Sequence, residues 1–261
     1  MTRAWMVALV AVLVVSVGGC IPSGKGEEPA EKGGTVEIRV PVAEKKPETP
    51  KPKPETPKVV TPKVEKPAPK AVTIELKRGT GIDLTKFFNS DGISTEANRN
   101  DADFDQWNQS YPAEELPKAG KLCKPELPVC FVFPSGEPKA KNNVACAGQT
   151  IPLSGKRKAM HLMVTATDAN QEAKIAIEFA DGKVEKDLKV TDWCGEAAFG
   201  EKVAVATKHR VAAEPDASGL FMEEKSAKIW CVTVPLDAKR EVKAVKLPFN
   251  AQIHIFALSL E

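Results

Sequence analysis

The segment Glu172–Val190, EAKIAIEFADGKVEKDLKV, restricts the fold of this chain more than any other. Ala173, Ile175, Ile177 and Phe179 alternate with charged or small residues. A recurrence every second position places them on one face of an extended strand, where a helix would need a period near 3.6. Ala180-Asp181-Gly182-Lys183 follows, and Asp-Gly is a strong signal for a tight hairpin. Val184, Leu188 and Val190 continue the apolar set on the return. A hairpin with one apolar face is not stable alone in water, so another layer must cover it.

Further strand-like runs supply that layer. They are VTIEL near 72–76, IDLTKFF at 82–88, VCFVF at 129–133, NNVACAGQTIPL at 142–153 and AMHLMVTA at 159–166. AKIWCVTV at 227–234, REVKAVKL at 240–247 and QIHIFALSL at 252–260 complete the set. Pro128, Pro134, Pro152, Pro235 and Pro248 punctuate these runs. No segment carries a long helical period, and Glu114–Ala119 allows at most one turn before Pro117 interferes. The spacing predicts an all-β domain over residues 71–261, an antiparallel β-sandwich or jelly roll.

The N-terminus belongs to a different physical regime. Arg3 precedes an apolar run, Met6 to Val17, shorter than the roughly 20 residues a spanning helix needs. The run ends in Val17-Gly18-Gly19-Cys20, which resembles a bacterial lipoprotein lipobox. The resemblance implies a signal peptide over residues 1–19, cleavage before Cys20, and acylation of that cysteine (diacylglycerol and palmitate). Such a lipid holds a protein at a membrane without spanning it. Ile21, rather than Asp, follows the cysteine, which by analogy directs a Gram-negative lipoprotein to the outer membrane.

Residues 21–70 contain 11 of the 21 prolines, with ten Lys, one Arg and eight Glu, and no Phe, Trp, Tyr or Leu. That composition buries too little apolar surface to offset chain entropy. We read 20–70 as the lipidated Cys20 and a disordered Pro/Lys/Glu-rich tether. In a polyproline conformation, at about 3.1 Å per residue, it reaches on the order of 150 Å. The remaining domain holds 25 basic against 27 acidic side chains, which gives no footprint for nucleic acid. An exported chain permits disulfides. Cys123 and Cys130, and Cys194 and Cys231, are the candidate pairs, leaving Cys146 as a free thiol. Neither Cys-x-x-Cys nor paired His occurs, so a zinc site is not indicated.

The polar stretch Asn89–Pro117 is the candidate functional region. Asp101, Asp103 and Asp105 alternate and could gather oxygens around a structural calcium, although the EF-hand pattern is not met. Solvated Asx turns are the competing reading. Trp107 and Tyr111 could stack on a pyranose ring while Asp105, Asn108 and Gln109 bond its hydroxyls. Equally, both rings could serve packing alone. His209 and Arg210 could meet an acidic or hydroxylated ligand, or form a solvated strand edge. Gln149 is read as satisfying buried backbone, Trp193 as core, Asp192 as a turn cap, and His161 and His254 as core histidines.

The series IDLTKFFNSDGIS, DADFDQWNQSYPAEELP, NNVACAGQTIPL, FADGKVEKDLKVTDW and LPFNAQIHIFALSLE is similar to a galactose-binding-like β-sandwich. This is a carbohydrate-binding-module type of fold, found appended to bacterial glycoside hydrolases. Where that module often has Asp-Phe-Asp-Gly, Gln106 and Trp107 occupy the turn here. Such sandwiches present ligand sites on end loops or on a concave sheet face, and the resemblance raises the expectation of calcium. Its place in the chain, after the first strands, puts Asn89–Pro117 over one end of the sandwich. Gly-x-Ser-x-Gly, His-Glu-x-x-His and a phosphate loop do not occur. The expected role is therefore a non-catalytic, lipid-anchored, extracytoplasmic module for carbohydrate or cell-envelope glycan. A structural or protein-interaction lipoprotein, or a small glycan-acting hydrolase with two carboxylates, is the alternative.

Overall fold

The computed structural model describes residues 72–75, 78–102, 104–212, 214–215 and 222–261. The expected signal peptide, Cys20, the tether and Asp103 lie outside these residues. Among the described residues, seventeen strands form. They are β1 (Thr73–Glu75), β2 (Thr80–Ile82), β3 (Ile93–Ser94), β4 (Gln109–Pro112), β5 (Gly120–Leu122) and β6 (Phe131–Phe133). Next come β7 (Val144–Ala147), β8 (Thr150–Pro152), β9 (Ala159–Ala166), β10 (Gln171–Phe179), β11 (Gly182–Val190) and β12 (Lys202–Ala206). The series ends with β13 (Arg210–Ala212), β14 (Met222–Glu223), β15 (Lys228–Pro235), β16 (Val242–Lys246) and β17 (Phe249–Leu260). Single 3-10 turns cover Thr85–Phe87 and Ala113–Glu115.

The fold is an antiparallel β-sandwich. One sheet runs β1-β2-β17-β9-β15-β12, with β7 also paired to β17, and the facing sheet runs β11-β10-β16-β8. Leu162 and Val164 of β9, Ile255 and Leu258 of β17, Ile175 and Ile177 of β10 and Val245 of β16 fill the space between them. The hairpin read from the sequence is present, with Phe179 opposite Gly182 and Gln171 opposite Val190. Its loop residues are Ala180 and Asp181, and Gly182 opens the return strand at φ 141°. Arg240 anchors this turn by an ion pair to Asp181 at 2.7 Å.

All eight residues of β9 are buried, in keeping with a run in which only His161 and Thr165 are polar. Its second face packs against another layer. Met163 of β9, Ile229 and Cys231 of β15, and Phe256 and Ala257 of β17 meet Phe104, Tyr111, Leu127, Phe131 and Phe133. A bulge between Ile255 and Ala257 makes this arrangement possible. It turns Phe256 and Ala257 to the outer core while Ile255 and Leu258 stay inside. The stretch 89–117 therefore covers a face of the larger sheet, not an end of the sandwich as its placement in the sequence suggested. It carries too many large apolar side chains for a rim.

Local bonds fix the layer. Buried Asp91 accepts from Nδ2 of Asn142 at 2.5 Å, and Oδ1 of Asn142 accepts the Gly92 amide at 2.9 Å. Burial raises the Asp91 carboxyl above its ordinary range. NNVACAGQTIPL, read as one turn and one strand, splits into β7 and β8, which join different sheets. Gly148, at φ 77°, sits at the crossing. Oε1 of Gln149 accepts the Ala147 amide and its Nε2 donates to the Ala145 carbonyl, as expected of a residue satisfying backbone.

Cys123 and Cys130 form a disulfide. Cys194 and Cys231 do not, and with buried Cys146 they are free thiols. Following a tryptophan in sequence does not aim two side chains at each other. Both border the outer core, but Cys231 is a buried member of it on β15, while Cys194 sits at its edge with its sulfur 3.5 Å from Nη1 of Arg210. Among the described residues no helix is long and apolar enough to cross a membrane.

Candidate functional site

The site begins with an Asx turn. Oδ1 of Asp105 accepts the backbone amides of Trp107 at 2.9 Å and Gln109 at 2.8 Å, while the Asn108 amide donates to the Asp105 carbonyl. Asn108 adopts φ 54°, a left-handed conformation that Asn tolerates better than most residues. Burial raises the Asp105 carboxyl, against the opposing pull of these two amides and Arg210. Trp107 stands at the tip of the turn, 71% exposed. A large indole left in water by a rigid turn contributes little to packing.

Tyr111, four residues on, has the opposite fate. It is fully buried, with its ring 5.3 Å from Phe104, 5.1 Å from Trp193 and 5.6 Å from Phe256, all at edge-on angles. Its hydroxyl donates to the Lys228 carbonyl at 2.8 Å. Burial lifts the phenol well above its usual pKa. Tyr111 is therefore a core residue and not a ligand-stacking platform. With no exposed surface, the ring offers no face to a sugar.

Antiparallel pairing of β4 with β13 sets Gln109 opposite Ala212 and Ser110 opposite Val211. Two candidate sets a hundred residues apart thus become neighbours. Nε2 of Gln109 donates to Oε2 of Glu223 at 3.1 Å, and Nε of Arg210 donates to the same oxygen. Arg210 holds the Glu223 carboxyl below its ordinary range. Nδ1 of His209 lies 2.6 Å from Oε1 of Glu115, whose other oxygen accepts the Lys208 amide. His209 and Arg210 are not the free ligand-facing pair anticipated: carboxylates of the same chain already engage both. Arg210, through Glu223 and Gln109, braces the end of the Asp105–Gln109 turn, whereas His209 holds the segment after β4 through Glu115.

Beside that turn lies a shallow groove of about 450 Å³. Asp105, Gln106, Thr167, Asp168, Gln252 and His254 line it, with Asn89 and Ala145. The His254 ring is buried, and its Nδ1 lies 2.9 Å from Oδ1 of Asn143. Nδ2 of Asn143 donates to the Ser90 carbonyl and to Oδ1 of Asn142, which orients the amide. An amide oxygen only accepts, so Nδ1 carries the hydrogen. Nε2 is then an acceptor, 3.5 Å from the Thr167 hydroxyl. Burial lowers the His254 pKa to about 3, so the ring is neutral at ordinary pH.

The groove rim is conformationally strained. Asp168 has φ 60° and Ala169 φ 104°. Such residues cost on the order of 1–3 kcal/mol each and gather at functional sites. Oδ2 of Asp192 accepts the Ala169 amide at 3.1 Å, and the Asp192 amide donates to Asn170, which holds the loop. Asp192 is the turn cap its sequence suggested, and Trp193 is core.

Residues 78–261 match the model of the AziU2-like beta-sandwich domain, well over half of the chain. The chain belongs to this family. The matched range takes in β2 to β17, and with them the covering layer and the groove of this chain. No curated protein matches the chain.

Among the described residues, no three His, Cys, Asp or Glu side chains converge as a metal-binding group. Two of the three acids considered for calcium are engaged separately. Oδ2 of Asp101 accepts the Lys139 amide at 2.5 Å, and Asp105 caps its own turn. Asp103 lies outside the described residues.

Sequence reasoning missed Gln106 as groove lining, together with Thr167, Asp168 and Gln252. It also read His254 as core alone. Thr167-Asp168-Ala169-Asn170 carries a polar turn signal, but nothing local says which loop it will face. That depends on β17 pairing with β9.

Proposed function

We propose that the chain is a lipid-anchored, extracytoplasmic and non-catalytic binding module for carbohydrate or cell-envelope glycan. The observation that carries this reading is Trp107, 71% exposed on a rigid Asx turn beside a groove of amides, hydroxyl and carboxylates. A sugar ring presents an apolar C–H face and a polar rim. An open indole face beside acceptors and donors complements both. The groove is shallow, which suits a ligand held at the surface. The galactose-binding-like, carbohydrate-binding-module likeness of the sequence blocks supports the same ligand class. The lipobox likeness around Cys20 and the Pro-rich tether support display away from a membrane.

Glycan-array binding by the full-length protein tests the ligand class. Binding is expected and is lost in Trp107→Ala, with the melting temperature unchanged. A signal that survives Trp107→Ala would remove Trp107 from the site. Turnover of a labelled oligosaccharide would overturn the non-catalytic assignment. Palmitate labelling lost in Cys20→Ala is the expected result for the anchor.

A further inference from the structure

A second aromatic ring lies on the same sheet face as the groove. Phe249 is 81% exposed, more than any other large apolar side chain among the described residues. It opens β17 opposite Ala147, and His254, beyond a register shift that follows Asn250, lies opposite Ala145. Directly opposed residues of an antiparallel pair project to one face. Phe249 and Ala147 therefore share the face of Ala145 and His254, both of which line the groove. Ala145 and Ala147 are one pleat apart, roughly 7 Å along the strand. Ala251, two residues beyond Phe249, also lines the groove.

The ring is held in place. It lies across Gly148, where an added Cβ would fall 2.2 Å from the ring's Cζ. The loop beneath is fixed by the Gly148 amide on the Pro248 carbonyl at 3.0 Å and the Leu247 amide on the Gln149 carbonyl at 2.9 Å. Nδ2 of Asn250 donates to Oε1 of Gln171 at 2.9 Å. The glycine thus serves as a bed for one ring face, the Lys246 ammonium lies over the ring 5.9 Å from its centroid, and most of the side chain stays in solvent. Packing does not require this arrangement, because a buried phenylalanine would contribute more.

Resting on the carbohydrate reading above, we propose that the ligand is an extended glycan chain of several sugar rings. It lies along the groove, with one ring on Trp107 and a more distant one on Phe249. Between them, Gln106, Gln252 and the exposed Asp168 meet the hydroxyl groups of intervening sugars. A single sugar reaches only one platform, so chain length is read as affinity.

Titration of the full-length protein with β-1,4-linked glucan, xylan and N-acetylglucosamine ladders, from disaccharide to hexasaccharide, tests this. The hexasaccharide of a bound ladder is expected to bind at least roughly tenfold more tightly than its disaccharide. Phe249→Ala is expected to abolish that gain and leave disaccharide binding intact, Phe249→Tyr to retain the gain, and Trp107→Ala to lose both. Equal affinity for short and long chains, or a gain that persists in Phe249→Ala, would overturn the extended-chain proposal and leave the carbohydrate reading standing. Binding to none of the ladders would overturn both.

Discussion

The two faces of the larger sheet are covered in different ways. The inner core is mostly aliphatic and lies between regular strands, with Trp230 as its one fully buried large aromatic. The outer core gathers Phe104, Tyr111, Phe131, Phe133, Trp193 and Phe256, mostly from short strands and loops. Strands align side chains in rows, so branched aliphatics interdigitate across two flat faces. Loops lack such rows. A few large rings close the irregular space instead, through edge-on contacts such as that of Tyr111 with Trp193. The same layer that supplies those rings leaves Trp107 exposed, so packing and ligand-facing roles lie within one short segment.

The largest expected effect sharpens this contrast. Tyr111→Ala removes a fully buried ring and a hydrogen bond to the Lys228 carbonyl. By analogy with large aromatic truncations it is expected to cost about 3–5 kcal/mol, measured by urea denaturation. A loss below 1 kcal/mol would mean that the outer layer contributes little to stability. Leu162→Ala and Met163→Ala test whether the cores behave as one unit. These neighbours on β9 point to opposite cores and are both fully buried. Each is expected to lose about 2–5 kcal/mol and to lower a single transition seen equally by circular dichroism and tryptophan fluorescence. Separate transitions for the two probes would show that the cores unfold independently.

His254 gives a smaller, pH-dependent effect where the groove meets the outer core. Its ordinary pKa of 6.5 falls to about 3 in the folded protein because burial disfavours the charged ring. Below pH 6.5 the unfolded chain takes up a proton that the folded chain refuses. Stability therefore falls as pH drops through this window, by on the order of 1.4 kcal/mol per pH unit from this group. His254→Asn should remove that part of the slope between pH 6.5 and 5, as followed by denaturant titration at each pH. An unchanged slope would assign the loss to other groups. The smallest expected effect belongs to Trp107→Ala, within about 0.5 kcal/mol by the same measurement, because the indole is mostly in water. A large loss there would make Trp107 a packing residue and break the contrast with Tyr111.

Much of the inner core was legible because its code is local. The alternation in Glu172–Phe179 and the Asp-Gly signal predicted the hairpin, and the structure contains it. The short spacing of Cys123 and Cys130 limited them to a compact loop, and they are bonded. The outer core was less legible. Trp107 and Tyr111 are both aromatic residues in one polar stretch, and composition gave them the same role. Only β4, held between β3 and β13, commits Tyr111 inward and leaves the turn outward. Cys194 and Cys231 failed as a pair for a related reason, since direction depends on strand register rather than on a preceding tryptophan. His209 and Arg210 looked free because Glu115 and Glu223, their partners, lie elsewhere in the sequence.

The sequence by itself determined an all-β antiparallel sandwich, because period-2 alternation and turn residues act over a few neighbouring positions. It also determined that residues 21–70 have too few large apolar side chains to build a core of their own. Tertiary structure alone decided that 89–117 would cover a sheet face and that the groove would combine loops around residues 105, 168 and 252. It also decided that Phe249 would share the groove's face. These outcomes follow from long-range pairing and from the bulge in β17, whose energies depend on partners distant in the chain. A local pattern cannot encode which distant strand will supply them.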